Sequence, residues 1–167
     1  LWALIHAPDM PQGCDLNRAI AMLLIHDIVE IDAGDHPVDM AHDLHEITRK
    51  ENAAADRLFG LLPADQGHQL HTLWQEFEQQ TSASAVYAKR IDHMQPILQV
   101  ALAPKWQPGH PEIAEHTLTQ GRARRMAQDW PALDAHARAL LAGTPPQDGP
   151  LAQRLRFLAE AERLKSV

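Results

Sequence analysis

The chain has 167 residues, 45% of them hydrophobic and 22% charged, with 15 Lys and Arg against 22 Asp and Glu for a formal charge of −7. That balance excludes a disordered or fibrous chain and argues against a nucleic-acid-coating protein, which needs a basic surface to neutralise phosphates. A lone cysteine, Cys14, leaves no intramolecular disulfide and fits a reducing, cytoplasmic setting, and no apolar run approaches the ~20 residues of a membrane span.

Strand-like alternation is nowhere sustained, so an all-α fold is expected. Leu1-Trp2-Ala3-Leu4-Ile5 reads as the last turns of an amphipathic helix whose start lies outside this sequence, stopped at Pro8. A second helix is predicted from Asp15, a natural N-cap, to Asp32, ending at Ala33-Gly34. His36-Pro37-Val38-Asp39 is a loop, and a third helix runs from His42 to Leu62, closed by Pro63. A fourth covers Ala64 to Gln80. The fifth covers Ser82 to Leu102, where Pro96 is expected to bend it. Lys105 to His110 is an irregular connection, followed by helices over Pro111–Ala127 and Pro131–Leu141. Residues 143–150, rich in Gly and Pro, are a linker by composition, and residues 151–167 hold a last helix from Leu151 to Leu164. The expected organisation is a helical domain over 1–142, the linker, and a short C-terminal helical extension.

The second helix carries the chemistry. Placing its residues at about 100° steps puts Leu16, Ile20 and Leu23 at the centre of the apolar face. Asp27 and Glu30 fall on the same line, with His26 on its flank. A buried carboxylate is costly unless it is paired, hydrogen-bonded or metal-bound. Both also stand in the last two turns, where the helix dipole disfavours anions by roughly 0.3–1 kcal/mol each. A divalent cation accounts for both facts together. Periodicity alone equally allows a helix end that surfaces, with solvated carboxylates and a packed His26.

The wider pattern narrows the choice. His26-Asp27-Ile28-Val29-Glu30-Ile31-Asp32-Ala33-Gly34-Asp35 follows His-Asp-x-x-Glu-x-x-x-Gly-Asp and resembles the signature of HD-domain metal-dependent phosphohydrolases, most closely the 5′-deoxynucleotidase branch. Leu61-Leu62-Pro63, Leu73-Trp74-Gln75-Glu76-Phe77-Glu78, and Ala88-Lys89-Arg90-Ile91-Asp92-His93-Met94 with Ile97-Leu98-Gln99 resemble that branch in order and spacing. The resemblance extends over residues 1 to 142. It implies an HD-domain helical bundle that hydrolyses deoxynucleoside 5′-monophosphates to deoxynucleoside and phosphate.

It further implies a divalent ion, Mn²⁺, Co²⁺ or Mg²⁺, held by His26, Asp27 and Asp92 together with a first histidine expected a few positions before Leu1. A phosphate-binding arginine is expected upstream as well, and His6 stands at the wrong end of its helix to replace the first ligand. Glu30, one turn from His26 and Asp27, is expected to orient or deprotonate the attacking water or to assist the leaving group. Asp35 is expected to contact the sugar hydroxyl or assist acid chemistry, and Lys89 to face the phosphate. The implied partners are a small-molecule nucleotide and a second copy of the chain in a homodimer.

Plainer readings stand beside these. From the residues alone, Asp92 is an edge residue beside Ala85, Ala88 and Ile91, Asp35 caps a loop, and Lys89 is an exposed helix lysine. One departure from the branch is Ser82-Ala83-Ser84-Ala85, where a glutamate often precedes the distant aspartate. His42/His45 and His68/His71 read as surface histidines, and Arg122, Arg124 and Arg125 as a solvated face. Trp74 and Phe77 read as core or dimer-contact residues rather than a base-stacking platform. No Gly-rich phosphate loop and no serine nucleophile elbow is present. Two alternatives stay open: a helical binding or scaffold domain that keeps the fold without catalysis, and a phosphohydrolase of the same fold acting on another nucleotide.

Overall fold

A computed structural model describes residues 1–35, 43–102, 110–121, 123–144 and 147–165, and among them every regular element is helical. The chain divides into two compact units, His6–Lys89 and Leu1–Ile5 with Arg90–Val167.

In the first unit, helix α2 (Leu16–Ile25; α1 is the short N-terminal Trp2–Ile5) begins where the Asp15 carboxylate accepts the backbone N–H groups of Asn17 and Arg18. The backbone N–H of Asp15 itself donates to Ser84 Oγ at 2.8 Å, tying the start of α2 to a distant helix. Its buried residues are Ala19, Met22 and Ile25, followed by Val29. This ladder is displaced from the expected centre at Leu16, Ile20 and Leu23, which are only half-buried.

The expected continuous helix to Asp32 is in fact three pieces. At His26 the coil tightens into a 3₁₀ turn, His26–Val29, before a short α3, Glu30–Ala33. Gly34, at φ 82°, ends it. Asp27 stands off the buried line, and its side chain is 65% exposed. The buried stripe runs through Ala19, Met22, Ile25 and Val29, and at helical steps Asp27 already lies about 140° around from Met22.

Helix α4 (Leu44–Phe59) is capped by Asp43, whose carboxylate accepts from the N–H groups of His45 and Glu46; the predicted start at His42 and the predicted His36–Asp39 loop lie outside the described residues. Pro63 precedes α5 (Ala64–Gln79). Gly67 is required where the two helices meet, since a Cβ there would run into the Phe59 carbonyl oxygen. Ala54, Ala55, Phe59, Leu73, Trp74 and Phe77 form the buried face of this pair. Arg18 on α2 grips Glu76 on α5 through its Nε and a guanidinium nitrogen, and Ser82 Oγ donates to the same carboxylate. Helix α6 (Ala83–Leu102) then gives Ala85, Tyr87 and Ala88 to this unit's core.

The second unit contains α1, the remainder of α6, α7 (His110–Thr119), α8 (Met126–Asp129), α9 (Pro131–Leu141) and α10 (Pro150–Lys165). Helix α6 passes through Pro96 without ending. The predicted helix over Pro111–Ala127 is broken, because after Thr119 the N–H of Gly121 donates to the His116 carbonyl and the chain turns. Arg90, 6% exposed, donates from Nε to Asp129 Oδ2 at 2.6 Å. Met94, Ile97, Leu98, Leu118, Met126, Leu133 and Ala137 are buried, and α10 buries Ala152, Leu155 and Leu158 at helical spacing. The predicted connection over Lys105–His110 lies outside the described residues except for His110, which opens α7. Gly143 and Gly149 sit at positive φ within the predicted linker. No helix among the described residues is long and apolar enough to cross a membrane.

Candidate metal centre

His26 stands at the joint between α2 and the 3₁₀ turn, so its ring is directed by two elements at once. Its Nδ1 lies 3.0 Å from the Leu23 carbonyl oxygen. A carbonyl only accepts, so Nδ1 donates there, and Nε2 is the nitrogen left to ligate an ion once it is deprotonated. Nε2 lies 3.0 Å from Asp27 Oδ1. The imidazole, 14% exposed, packs against the Phe77 ring with centroids 4.9 Å apart and planes tilted by 57°. Phe77 is fully buried on α5. The Lys89 ammonium lies 4.1 Å from the centroid of the same ring and donates to Glu78 Oε1 at 3.0 Å.

The surroundings are acidic. Burial, followed by the negative charges of Asp27 and Asp35, pushes the Glu30 carboxyl above its ordinary range, with His26 pulling partly the other way and Glu51 adding a further push. Asp35 is exposed, directly after the Gly34 turn. Asp32 is not part of this group, because Arg57 of α4 grips its carboxylate. Asp92 lies on α6 in the other unit, half-buried.

The donor chemistry of the pair suits a divalent ion. Ligands about 2.1 Å from an octahedral ion stand about 3.0 Å from their cis neighbours, the separation of His26 Nε2 and Asp27 Oδ1. The Leu23 carbonyl is the kind of partner that fixes the tautomer of a metal-binding imidazole. Net negative charge around the pair favours a cation for the reason that it disfavours the ionised Glu30. Among the described residues, no group of three or more His, Cys, Asp or Glu side chains is gathered to hold a metal. Thus His26 and Asp27 are brought together, with Glu30 and Asp35 in their field.

Two participants were missed in the sequence. Phe77 reads there as core, which it is, but nothing in the spacing indicates that its ring meets His26. Glu78 pairs with Lys89 across the α5–α6 turn, a contact that no single-helix periodicity shows. Of the histidines set aside as surface residues, His45 and His68 are exposed, whereas His71 is half-buried between Phe59 and Trp74, its Nε2 3.7 Å from Asp56. His42 lies outside the described residues, as does Arg122, while Arg124 and Arg125 are exposed as expected.

A helical fold with a His-Asp pair at a helix joint defines the class, and the match is direct: the HD domain family profile covers residues 1–134, and the chain belongs to that family. Among curated relatives, the 5′-deoxynucleotidase HDDC2 of Bos taurus is 37% identical over 86 residues, 51% of this chain and 42% of that protein. The Homo sapiens protein of the same name is 36% identical over 86 residues, again 51% and 42% of the two chains. The match thus spans less than half the length of these relatives. The crystal structure of a predicted metal-dependent phosphohydrolase from Magnetospirillum magnetotacticum MS-1 superposes with a TM-score of 0.65 at 35% identity, covering 85% of this chain and 72% of that one.

Proposed function

We propose that the chain is the core of a metal-dependent phosphohydrolase acting on deoxynucleoside 5′-monophosphates. The observation that carries this reading is the His26–Asp27 pair, its donor atoms 3.0 Å apart and its imidazole set by the Leu23 carbonyl, inside the extended His-Asp motif. The 5′-deoxynucleotidase relatives supply the substrate class. His26, Asp27 and Asp92 are the proposed ligands of a divalent ion, Mn²⁺, Co²⁺ or Mg²⁺. When bound, the ion supplies Lewis-acid polarisation of the phosphoryl group and favours deprotonation of water near neutral pH.

The chain's own residues divide the remaining work. Glu30, with its carboxyl raised above the ordinary range, is suited to accept a proton from the attacking water and return it to the departing sugar oxygen. Asp35 follows a glycine turn that exposes it, and is proposed to contact the sugar hydroxyl. Lys89 is proposed to face the phosphate, with Glu78 holding its ammonium in the absence of an anionic substrate. A homodimer is the proposed assembly.

The test is phosphate release from deoxynucleoside 5′-monophosphates after chelation and re-addition of Mn²⁺, Co²⁺ or Mg²⁺. Metal-dependent release that is lost in Asp27→Asn and Asp92→Asn is expected. Release that is indifferent to metal and to both substitutions would falsify the reading, and metal binding without turnover would assign the chain to the non-catalytic alternative.

A further inference from the structure

We infer that Phe77 is a positioning residue for the metal centre, its ring setting the angle at which the His26 imidazole presents Nε2 and at the same time holding the Lys89 ammonium beside it. This rests on the proposed role of His26 as a metal ligand. An imidazole ligand has two side-chain torsions to fix. The hydrogen bond from Nδ1 to the Leu23 carbonyl, at 3.0 Å, anchors one edge of the ring. Nε2, 3.0 Å from Asp27 Oδ1, marks the edge that is to meet the ion, and the packing of the ring's face adds to what sets its angle. Phe77 supplies such a contact, 4.9 Å away between centroids, and is itself fully buried on α5.

The ring has a second tenant. Lys89 Nζ sits 4.1 Å from the Phe77 centroid and 3.0 Å from Glu78 Oε1. The negative quadrupole of an aromatic face favours cationic neighbours. It therefore favours the Lys89 ammonium, while the tilted His26 ring packs against the same side chain. A single side chain on α5 thereby relates a proposed ligand on the α2 joint to a proposed phosphate contact on α6. No motif spacing encodes this relation, because the three residues come from three separate segments.

The experiment measures Mn²⁺ affinity by isothermal titration of the chelated full chain, with no turnover involved. Partners that orient metal-binding histidines are worth about 10–100-fold in affinity. Phe77→Leu is accordingly expected to weaken Mn²⁺ binding about tenfold, while Phe77→Tyr, which keeps the ring, stays within about twofold of the parent. Phe59→Leu is the control. It removes an equally buried aromatic that meets His71 and not His26, and is expected to lower stability without changing Mn²⁺ affinity.

The inference is overturned if Phe77→Leu binds Mn²⁺ like the parent, or loses no more than Phe59→Leu. Should Phe77→Leu fail to fold, Phe77→Met fills a similar volume without a ring. Phe77→Met is then expected to weaken Mn²⁺ binding about tenfold, and parent-like affinity in that variant overturns the inference. His26→Ala separates the two ideas. If it binds Mn²⁺ as the parent does, the metal reading itself fails. If it loses binding while the Phe77 variants keep it, only the role of Phe77 fails.

Discussion

The ion pair between Arg90 and Asp129 offers a test in which two partners of one contact should not be equivalent. Arg90 Nε donates to Asp129 Oδ2 at 2.6 Å, with the arginine side chain 6% exposed and the aspartate 19%. Asp129→Ala removes a charge-assisted hydrogen bond, about 1.5–3 kcal/mol. It also leaves a guanidinium enclosed without a counter-charge, and breaking a buried pair in this way costs about 3–5 kcal/mol in total. The residual exposure of Asp129 places the expected loss at the lower end, about 3 kcal/mol.

Arg90→Met is different. It puts an apolar chain in place of the arginine stem, and Asp129 keeps both solvent and the Arg125 guanidinium 4.0 Å away. The expected loss is only about 1 kcal/mol. With a urea dependence of about 2 kcal/mol/M, the midpoints fall by about 1.5 M for Asp129→Ala and about 0.5 M for Arg90→Met. The double variant should recover towards Arg90→Met, since no charge is then stranded. Urea unfolding followed by circular dichroism measures all three. An Arg90→Met loss equal to or larger than that of Asp129→Ala, or a double variant weaker than Asp129→Ala, would refute the reasoning.

Glu30 and Gly34 give two further expectations. The folded Glu30 carboxyl is raised above its ordinary range, so the native state binds the extra proton and is favoured below that range. This contribution is lost as pH rises through the folded value, leaving an ionised Glu30 that opposes folding at neutral pH. Glu30→Gln should therefore raise the melting temperature of the metal-free protein near pH 7, with the gain vanishing below about pH 4; a gain that does not change with pH contradicts this. Gly34 adopts φ 82° and ψ 150°, a conformation open essentially to glycine alone, with nothing within 4 Å of a Cβ placed there. Gly34→Ala should cost about 1–3 kcal/mol through backbone strain alone. A melting temperature equal to the parent's would show that the turn relaxes freely.

The all-helical class was legible from composition and periodicity, because amphipathic spacing, N-caps and prolines act within a few residues of where they are read. Asp15 and Asp43 cap the helices that follow them, Pro63 stands where α4 gives way to α5, and Gly34 ends the motif helix, as local rules require. The His-Asp motif was legible for the same reason: its members are close in sequence, so spacing alone brings His26 and Asp27 together.

Tertiary packing decided the rest. The apolar face of α2 was misplaced because burial through Ala19, Met22 and Ile25 depends on what α2 packs against, not on its own side chains. The 3₁₀ turn at His26–Val29 gives no apolar signal in a window of helical period, and Asp27 faces outward because the buried stripe lies elsewhere. The breaks at His26 and Gly121 depend on which carbonyls are left available at each helix end. The encounter of His26, Phe77 and Lys89 lies beyond any local rule, since residues far apart in the chain become neighbours only when three helices close on one another.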